Sequence, residues 1–128
     1  MKIKVLKLGT FVKELVTGNE GVLTHMCVMI GGRIEYVFQP KGLNSSTGKP
    51  IESGFVQQEQ ISGGIFIEVD IPLFLLMEKA KDKNSGYSGR IVTLTYHING
   101  CIHVCIKPKG INPATGNTFD ALDFDLVS

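Results

Sequence analysis

The sequence contains no tryptophan and only 3 cysteines among its 128 residues. An odd number leaves at least one thiol unpaired. Cys101 and Cys105 on one strand would stand about 13 Å apart, which is too far for a disulfide. Small secreted domains are normally held together by several disulfides. The few cysteines therefore argue against that class and favour reduced thiols in a cytosol.

An excess of charge is also missing, since 13 lysines and arginines balance 12 aspartates and glutamates. Proteins that hold nucleic acid or a membrane by bulk electrostatics are strongly basic, so this balance disfavours both partners. Long apolar runs are missing too. The longest, residues 71–77, is far shorter than a membrane-spanning helix, and no apolar signal segment follows the first residues. We therefore expect a soluble cytoplasmic protein with no membrane partner.

Shifting the chain against itself by 68 residues reveals an internal repeat. Residues 17–50 align without gaps with residues 85–118, and eleven of these 34 positions are identical. About two identities would be expected by chance. Five identical positions are glycine and one is proline, and these residues determine turn geometry because glycine adopts positive φ at no steric cost. The alignment predicts two units of similar backbone, a first repeat (residues 1–64) and a second repeat (residues 65–128), packed as one compact unit.

Glycine is the abundant residue, with 15 copies and no collagen-like period, which favours many tight turns between short strands. The hydrophobic content of 43% is enough to bury a core. Each repeat has about five predicted short strands, the last of them at residues 55–61 and 119–127. This spacing is typical of a small SH3-like barrel. We predict an all-β fold of two tandem SH3-like small β-barrels.

Alternating apolar residues predict the register of one hairpin in each repeat. A three-residue loop, residues 98–100, pairs Tyr96 with Ile102 and Leu94 with Val104. It places six apolar residues on one face: Val92, Leu94, Tyr96, Ile102, Val104 and Ile106. The equivalent loop, residues 30–32, aligns Met26 and Val28 with Tyr36 and Ile34. Gly32 and Gly100 are both predicted to have positive φ.

Residues 70–83 leave two alternatives open. The repeat alignment favours a strand from Ile71 to Leu75. Asp70 and Pro72 are also suited to begin a helix, and the residues that follow are good helix formers. A short helix near residues 76–83 therefore remains an alternative.

The first repeat resembles a family of small bacteriophage proteins with the pattern VKD-x-VTG-x-x-G. The matching residues are Gly9, Val12, Lys13, Val16, Thr17, Gly18, Gly21, Gly32, Tyr36, Pro40, Phe55 and Ile61. The chain departs from the pattern at Glu14, Asn19 and Arg33, where the family has Asp, Phe and Cys. The resemblance implies a phage origin, a barrel related to KOW and Tudor modules, and location in the host cell cytoplasm. It implies no activity.

No recognisable set of nucleophile, base and orienting residue occurs, and the usual catalytic and nucleotide-binding motifs are absent from the sequence. We therefore expect a protein that is not an enzyme and needs no cofactor. His97, Cys101 and His103 share the outer face of the second hairpin, where a fourth ligand would complete a zinc site. An ordinary strand face is the favoured interpretation, so we predict no metal.

The segment PKG[LI]NxxTG follows each hairpin, and its two copies are the strongest candidates for ligand binding. Each copy combines glycine amides, lysine, an asparagine side chain and a threonine hydroxyl, which together suit phosphate or another anion. The predicted ligand- or partner-binding residues are Lys41, Asn44, Thr47, Lys107, Lys109, Asn112 and Thr115. The competing interpretation is that Gly, Asn and Pro serve only the turns and that the lysines serve only solubility.

The outer hairpin faces carry softly apolar residues that point away from the predicted core: Cys27, Met29, Val37, Cys101 and Cys105. One barrel buries one face of its sheet, so the other face meets water, the second repeat or a partner. We expect these faces to pack the two barrels together or to form a homodimer. An exposed recognition patch is the alternative.

Three functions compete at this point. The first is a non-catalytic phage accessory protein that binds a host protein or a small phosphate-bearing ligand, for example in counter-defence by sequestration. The second is a nucleic-acid-binding module of the KOW or Tudor type, which the balanced charge and the lack of an aromatic stripe disfavour. The third is a virion assembly component.

Overall fold

The computed structural model describes residues 2–126, and nearly all regular structure in this range is β. The eleven strands are β1 (Lys2–Leu6), β2 (Phe11–Glu14), β3 (Glu20–Met29), β4 (Ile34–Pro40), β5 (Gly54–Val56), β6 (Ile61–Gly63), β7 (Phe66–Asp70), β8 (Lys79–Lys81), β9 (Ser88–His97), β10 (Ile102–Lys107) and β11 (Leu122–Asp125). The all-β prediction is confirmed. The predicted end of the last strand, Val127, lies outside the described residues.

Helical structure within residues 2–126 consists of two single 3₁₀ turns, Gln58–Gln60 and Leu73–Leu75. Neither is long enough to cross a membrane, and the described part of the chain holds no other helix.

Strand pairing repeats at the offset of 68 residues found in the sequence. β2 pairs with β3 as β8 pairs with β9, and Val12 lies opposite Gly21 as Ala80 lies opposite Gly89. β4 pairs with β5 as β10 pairs with β11. The repeated turn residues therefore mark repeated backbone geometry. The assignment of each repeat to an SH3-like barrel stays a prediction, as does the division at residue 64, and β1 of the first repeat pairs with β7 of the second.

The two repeats are joined by direct antiparallel pairing of β3 with β9, which makes one continuous sheet of both hairpins. Cys27 lies opposite Thr95, and these two residues are themselves 68 positions apart. A pseudo-twofold axis therefore passes between them. The expectation that the outer faces pack the two repeats together is wrong, because the repeats meet edge to edge. A homodimer through these faces stays a prediction.

The predicted hairpin register is confirmed. Tyr96 lies opposite Ile102 and Met26 opposite Tyr36, and φ is 83° at Gly32 and 90° at Gly100. One detail of the prediction is wrong, because Val92 does not join the core.

A register shift in each hairpin explains the error. Thr24 and its counterpart Val92 are extra residues in β3 and β9. Past Val92 the strand changes phase, so that Ile91 faces Ile106 and is 5% exposed. A β-bulge of this kind reverses which residues face the core.

Both alternatives for residues 70–83 are wrong. Hydrogen bonds from Leu75 N to Pro72 O and from Leu76 N to Leu73 O close a 3₁₀ turn where a strand was predicted. Pro72 has no N–H for a ladder, and the leucines of the turn pack against the core instead. Residues 79–81 then form β8 in place of the short helix.

The buried residues of both repeats form one core cluster. Its largest fully buried side chain is Tyr36, whose hydroxyl accepts a hydrogen bond from Leu6 N at 3.0 Å. Tyr96 packs against the same core, but its buried hydroxyl has no hydrogen-bonding partner within residues 2–126. Both tyrosines point inward as predicted. They differ because the hydroxyl of Tyr36 is hydrogen-bonded and the hydroxyl of Tyr96 is not.

This difference predicts opposite effects for the same substitution. Tyr36→Phe leaves the amide of Leu6 without its partner and is expected to lower the free energy of unfolding by about 1–2 kcal/mol. Tyr96→Phe removes an unsatisfied hydroxyl and is expected to leave that free energy unchanged or to raise it slightly. Urea unfolding of both variants measures the difference. A loss of more than about 1 kcal/mol in Tyr96→Phe would contradict the assignment.

Candidate functional site

The two predicted binding loops have the same internal hydrogen bonds. Gly48 N donates to Asn44 O as Gly116 N donates to Asn112 O. The side-chain oxygens of the two asparagines accept from backbone amides two residues later, at 2.8 and 2.9 Å. These bonds are Asx turns, which give asparagine a role in the loop itself.

The threonines of the loops have a similar role. Thr47 Oγ1 accepts from Lys49 N at 3.2 Å, and Thr115 Oγ1 accepts from Asn117 N at 3.3 Å. The competing interpretation, in which these residues stabilise the turns, therefore accounts for the hydrogen bonds that their side-chain oxygens accept. Contact of Asn44, Asn112, Thr47 or Thr115 with a ligand stays a prediction.

The sheet holds the two loops apart. Because β3 and β9 are antiparallel, the loop after β4 and the loop after β10 leave opposite ends of the sheet. The spacing of residues along the ladder separates the loops by a distance on the order of 30–40 Å. A small ligand therefore contacts one loop and not both.

Lysines of the loops meet different surroundings. Lys41 Nζ lies 5.9 Å from the centroid of the Phe11 ring, a cation–π arrangement within the first repeat. Lys107 ends β10 and is exposed. Lys109 lines a pocket of about 570 Å³ in the second repeat. Lys109 thus belongs to a concave site that two other cations also line.

We call this site the basic pocket. It is lined by Lys79, Ala80, Ser88, Gly89, Arg90, Pro108, Lys109 and Phe119. Lys79 and Arg90 are cross-strand partners of the β8–β9 pair, so two like charges stand opposite each other. None of the three cations makes an ion pair within the described part of the chain. Opposed like charges destabilise a sheet unless an anion lies between them.

Hydrogen bonding orients one of these cations. Arg90 Nη1 donates to the carbonyl oxygen of Met77 at 2.9 Å. Met77 has φ of 74°, and its amide donates to Ile91 O as the amide of Gly9 donates to Leu23 O in the first repeat. The guanidinium is thus held beside β8 while its other N–H groups remain available for a ligand.

Repeat-equivalent residues do not make a second basic pocket. Phe11, Val22 and Lys41 occupy the places of Lys79, Arg90 and Lys109. The sequence reasoning identified Lys109 but missed Lys79 and Arg90, which become neighbours only through the β8–β9 register. The departure of the second repeat from the first at these two aligned positions was the available signal.

A second feature of the outer face is a row of three histidines. The rings of His25 and His97 have centroids 4.3 Å apart, and His97 Nε2 lies 3.2 Å from His103 Nδ1. His103 Nε2 contacts Asp125 Oδ1 at 2.6 Å. The sequence reasoning placed His97 and His103 together but missed His25, which arrives through its pairing with His97 in the β3–β9 ladder.

The predicted alternative of a zinc site included Cys101, which is exposed at the hairpin turn. Within residues 2–126 no three His, Cys, Asp or Glu side chains are arranged to hold a metal ion. The histidine row is a cluster of ring contacts, edge-on between His25 and His97 and tilted between His97 and His103.

Two cysteines near this row, Cys27 and Cys105, have raised pKa values. Burial and the Asp123 carboxylate raise the pKa of Cys105 to about 12, and Cys105 Sγ donates to Asp123 Oδ1 at 2.6 Å. Burial also raises the pKa of Cys27. A thiol nucleophile reacts as the thiolate, so neither residue is activated for covalent chemistry at neutral pH. Both line an outer-face groove of about 370 Å³.

The histidine row predicts a pH dependence. Partial burial, followed by the charges of His25 and His103, lowers the pKa of His97 from its ordinary 6.5, against the opposing influence of Asp123 and Asp125. The unfolded chain then binds a proton at His97 more readily than the folded chain does. The contribution of the uncharged His97 ring to the free energy of unfolding is therefore complete above pH 6.5 and is lost as the pH falls.

We expect the His97 imidazole to titrate below pH 6.5 by NMR. We also expect the stability loss on acidification below that pH to be smaller in His97→Gln. A His97 midpoint at or above 6.5 would contradict this prediction.

The thiols predict a labelling pattern. Iodoacetamide at pH 8 is expected to alkylate the exposed Cys101 first. The alkylation rate of Cys105 should be lower than that of Cys101 by a factor of at least about ten. Asp123→Asn removes the carboxylate that keeps the proton on Cys105 and should speed its alkylation, while Cys101 serves as the internal control. Peptide mass spectrometry measures both rates, and equal rates in the unmodified protein would refute the expected protection.

Comparisons with protein-family models, curated proteins and solved structures find no match to this chain. The resemblance to the phage family therefore stays a prediction from the sequence.

Proposed function

We propose that the protein is a non-catalytic binding protein that holds a small phosphate-bearing ligand in the basic pocket. The setting we propose is that of a phage accessory protein, which sequesters a ligand made by the host cell. Sequestration needs a stable scaffold and a site, and it needs no catalytic residues.

The observation that carries the proposal is the convergence of Lys79, Arg90 and Lys109 on one pocket, where none of them has an ion-pair partner among residues 2–126. The whole chain has a net charge of only +1, so three such cations are a local concentration of charge. Arginine presents a fork of donors that matches phosphate oxygens, and lysine adds a point charge. A dianionic phosphate fits this set better than a single carboxylate.

Pocket size and composition support a small molecule. A volume of about 570 Å³ lies within the usual range for small-ligand sites. Pro108 and Phe119 supply an apolar wall, against which a base or another planar group packs. Nucleic acid is a weaker candidate, because the balanced total charge provides no extended track for a phosphate backbone.

Isothermal titration with pyrophosphate and with a nucleoside triphosphate tests the proposal. We expect binding that weakens with added salt, since all three cations are exposed and therefore screened. Arg90→Ala and Lys109→Ala should each weaken binding about tenfold, the effect of losing one charge-assisted hydrogen bond.

Lys41→Ala is the matched control. It removes the repeat-equivalent of Lys109 from the other end of the sheet and should leave affinity unchanged. Equal losses in Lys41→Ala and Lys109→Ala, or no binding of either phosphate probe, would overturn the proposal.

A further inference from the structure

Strand β2 of the first repeat is paired along both of its edges. β3 covers one edge, and β6 covers the other, with Val12 opposite Gly63 and Glu14 opposite Ile61. Leu15 N also donates to Gln60 O at 2.7 Å. The segment that covers this second edge is residues 57–63, and the side chain of Ile61 packs against the core.

Strand β8 is the repeat-equivalent of β2, but among residues 2–126 it pairs only with β9. The two repeats differ in the path of the chain after β5 and after β11. In the first repeat β5 ends at Val56, and the chain turns away from β4 at Gln57 and enters a 3₁₀ turn. Residues 57–63 thus follow β5 and cross to β2. In the second repeat β11 continues along β10, with Asp125 opposite His103 and Leu126 N donating to Ile102 O. No described segment therefore crosses to β8.

The open edge of β8 presents backbone donors and acceptors. Asp82 N donates to Tyr87 O and so points toward β9. Peptide groups alternate in direction along an antiparallel strand, so the N–H and C=O groups of Lys79 and Lys81 point away from β9. An unpaired row of this kind is a template for another strand.

A groove of about 480 Å³ runs beside this edge. Its apolar floor is formed by Ile91, Val104, Ile106 and Phe124. In the first repeat the equivalent position lies under the segment that carries Ile61. The groove is thus suited to one apolar side chain of an added strand.

Lysines outnumber carboxylates along the edge and the groove, with Lys79, Lys81 and Lys83 against Asp82 and Asp125. None of the three lysines makes an ion pair within the described residues. Asp82 accepts hydrogen bonds from Ser85 N and Oγ, and Asp125 contacts His103, so both carboxylates have partners within the protein. An added strand with acidic residues beside its apolar residue complements these lysines.

We propose that the open edge of β8 is a strand-addition site for an extended acidic segment of a partner protein. The segment pairs antiparallel with β8 and places an apolar side chain in the groove, as residues 57–63 do on β2. This site borders the basic pocket, because Lys79 and Ala80 of β8 also line that pocket. It uses the backbone edge of β8 and the groove beside it, and it does not depend on the function proposed for the pocket.

A second copy of the chain is a poorer occupant. Antiparallel pairing of β8 with its own copy, centred on Ala80, sets Lys79 opposite Lys81 at both ends. Lysines on an edge strand are a known protection against such self-pairing.

The first repeat supplies the probe for a test. A seven-residue peptide with the sequence of residues 57–63 is titrated into the ¹⁵N-labelled full chain, beside a version carrying Gln57→Glu and Gln58→Glu. We expect the acidic peptide to bind more tightly, with Kd on the order of 0.1–1 mM. Amide shifts should be confined to β8, to residues 82–84 and to β11, and the amides of Lys79 and Lys81 should gain protection from hydrogen exchange.

Variants separate strand addition from simple attraction of charge. Lys81→Pro removes an outward N–H while leaving the bonds to β9, and it should weaken peptide binding about tenfold or more. A peptide carrying Ile61→Asp should weaken it similarly. Lys49→Glu is the charge control on an exposed loop. This variant should bind the peptide as the unmodified protein does.

Three results would overturn the proposal. One is the absence of shifts at β8 with either peptide. Another is equal binding of the Ile61→Asp peptide, which would mean that only charge is recognised. The third is protection of the Lys79 and Lys81 amides that rises with protein concentration alone, which would assign the edge to a second copy.

Discussion

The antiparallel ladder between β3 and β9 is the interaction on which the rest of the architecture depends. It spans five residue pairs, from His25 opposite His97 to Met29 opposite Thr93. Because it is antiparallel, it sends the two binding loops to opposite ends of the sheet. It also brings His25 onto the row that His97 and His103 begin. Without this ladder residues 25–29 of β3 and residues 93–97 of β9 would form exposed edges, and the histidine cluster and the shared outer-face groove would not exist.

The two repeats share one backbone geometry but carry different side chains at equivalent surface positions. The turn bonds, the bulge and the strand register recur at the offset of 68, whereas the side chains at the site do not. Lys79 and Arg90 occupy the positions that Phe11 and Val22 hold in the first repeat, so these positions are cationic at one end of the sheet and apolar at the other. The path of the chain after β11 also differs from the path after β5, and this leaves β8 with a free edge. Both candidate sites thus arise from departures from the repeat.

The hairpin register could be predicted from the sequence, because alternation over residues 92–106 permits only one loop length that keeps Leu94 and Val104 on the same face. The bulge at Val92 could not, since an extra residue in a strand leaves no mark on composition. The 3₁₀ turn at residues 73–75 was missed because the repeat alignment outweighed the missing N–H of Pro72. Lys79, Arg90 and His25 were missed for a common reason. Their neighbours are set by pairing between strands that are distant in sequence, which hydrophobic periodicity does not record.

The position of the axis between Cys27 and Thr95 has a consequence for how the molecule is assembled and how it diversifies. Two separate copies of one repeat, paired through this ladder, would dissociate on dilution and would carry every site twice. Joining them in one chain makes the association intramolecular, with an effective concentration that for short connections is in the millimolar range and does not change with dilution. Each half is then free to vary alone. Two repeats joined in one chain can therefore carry one basic pocket and one histidine row within residues 2–126. A symmetric dimer of identical repeats would carry two of each.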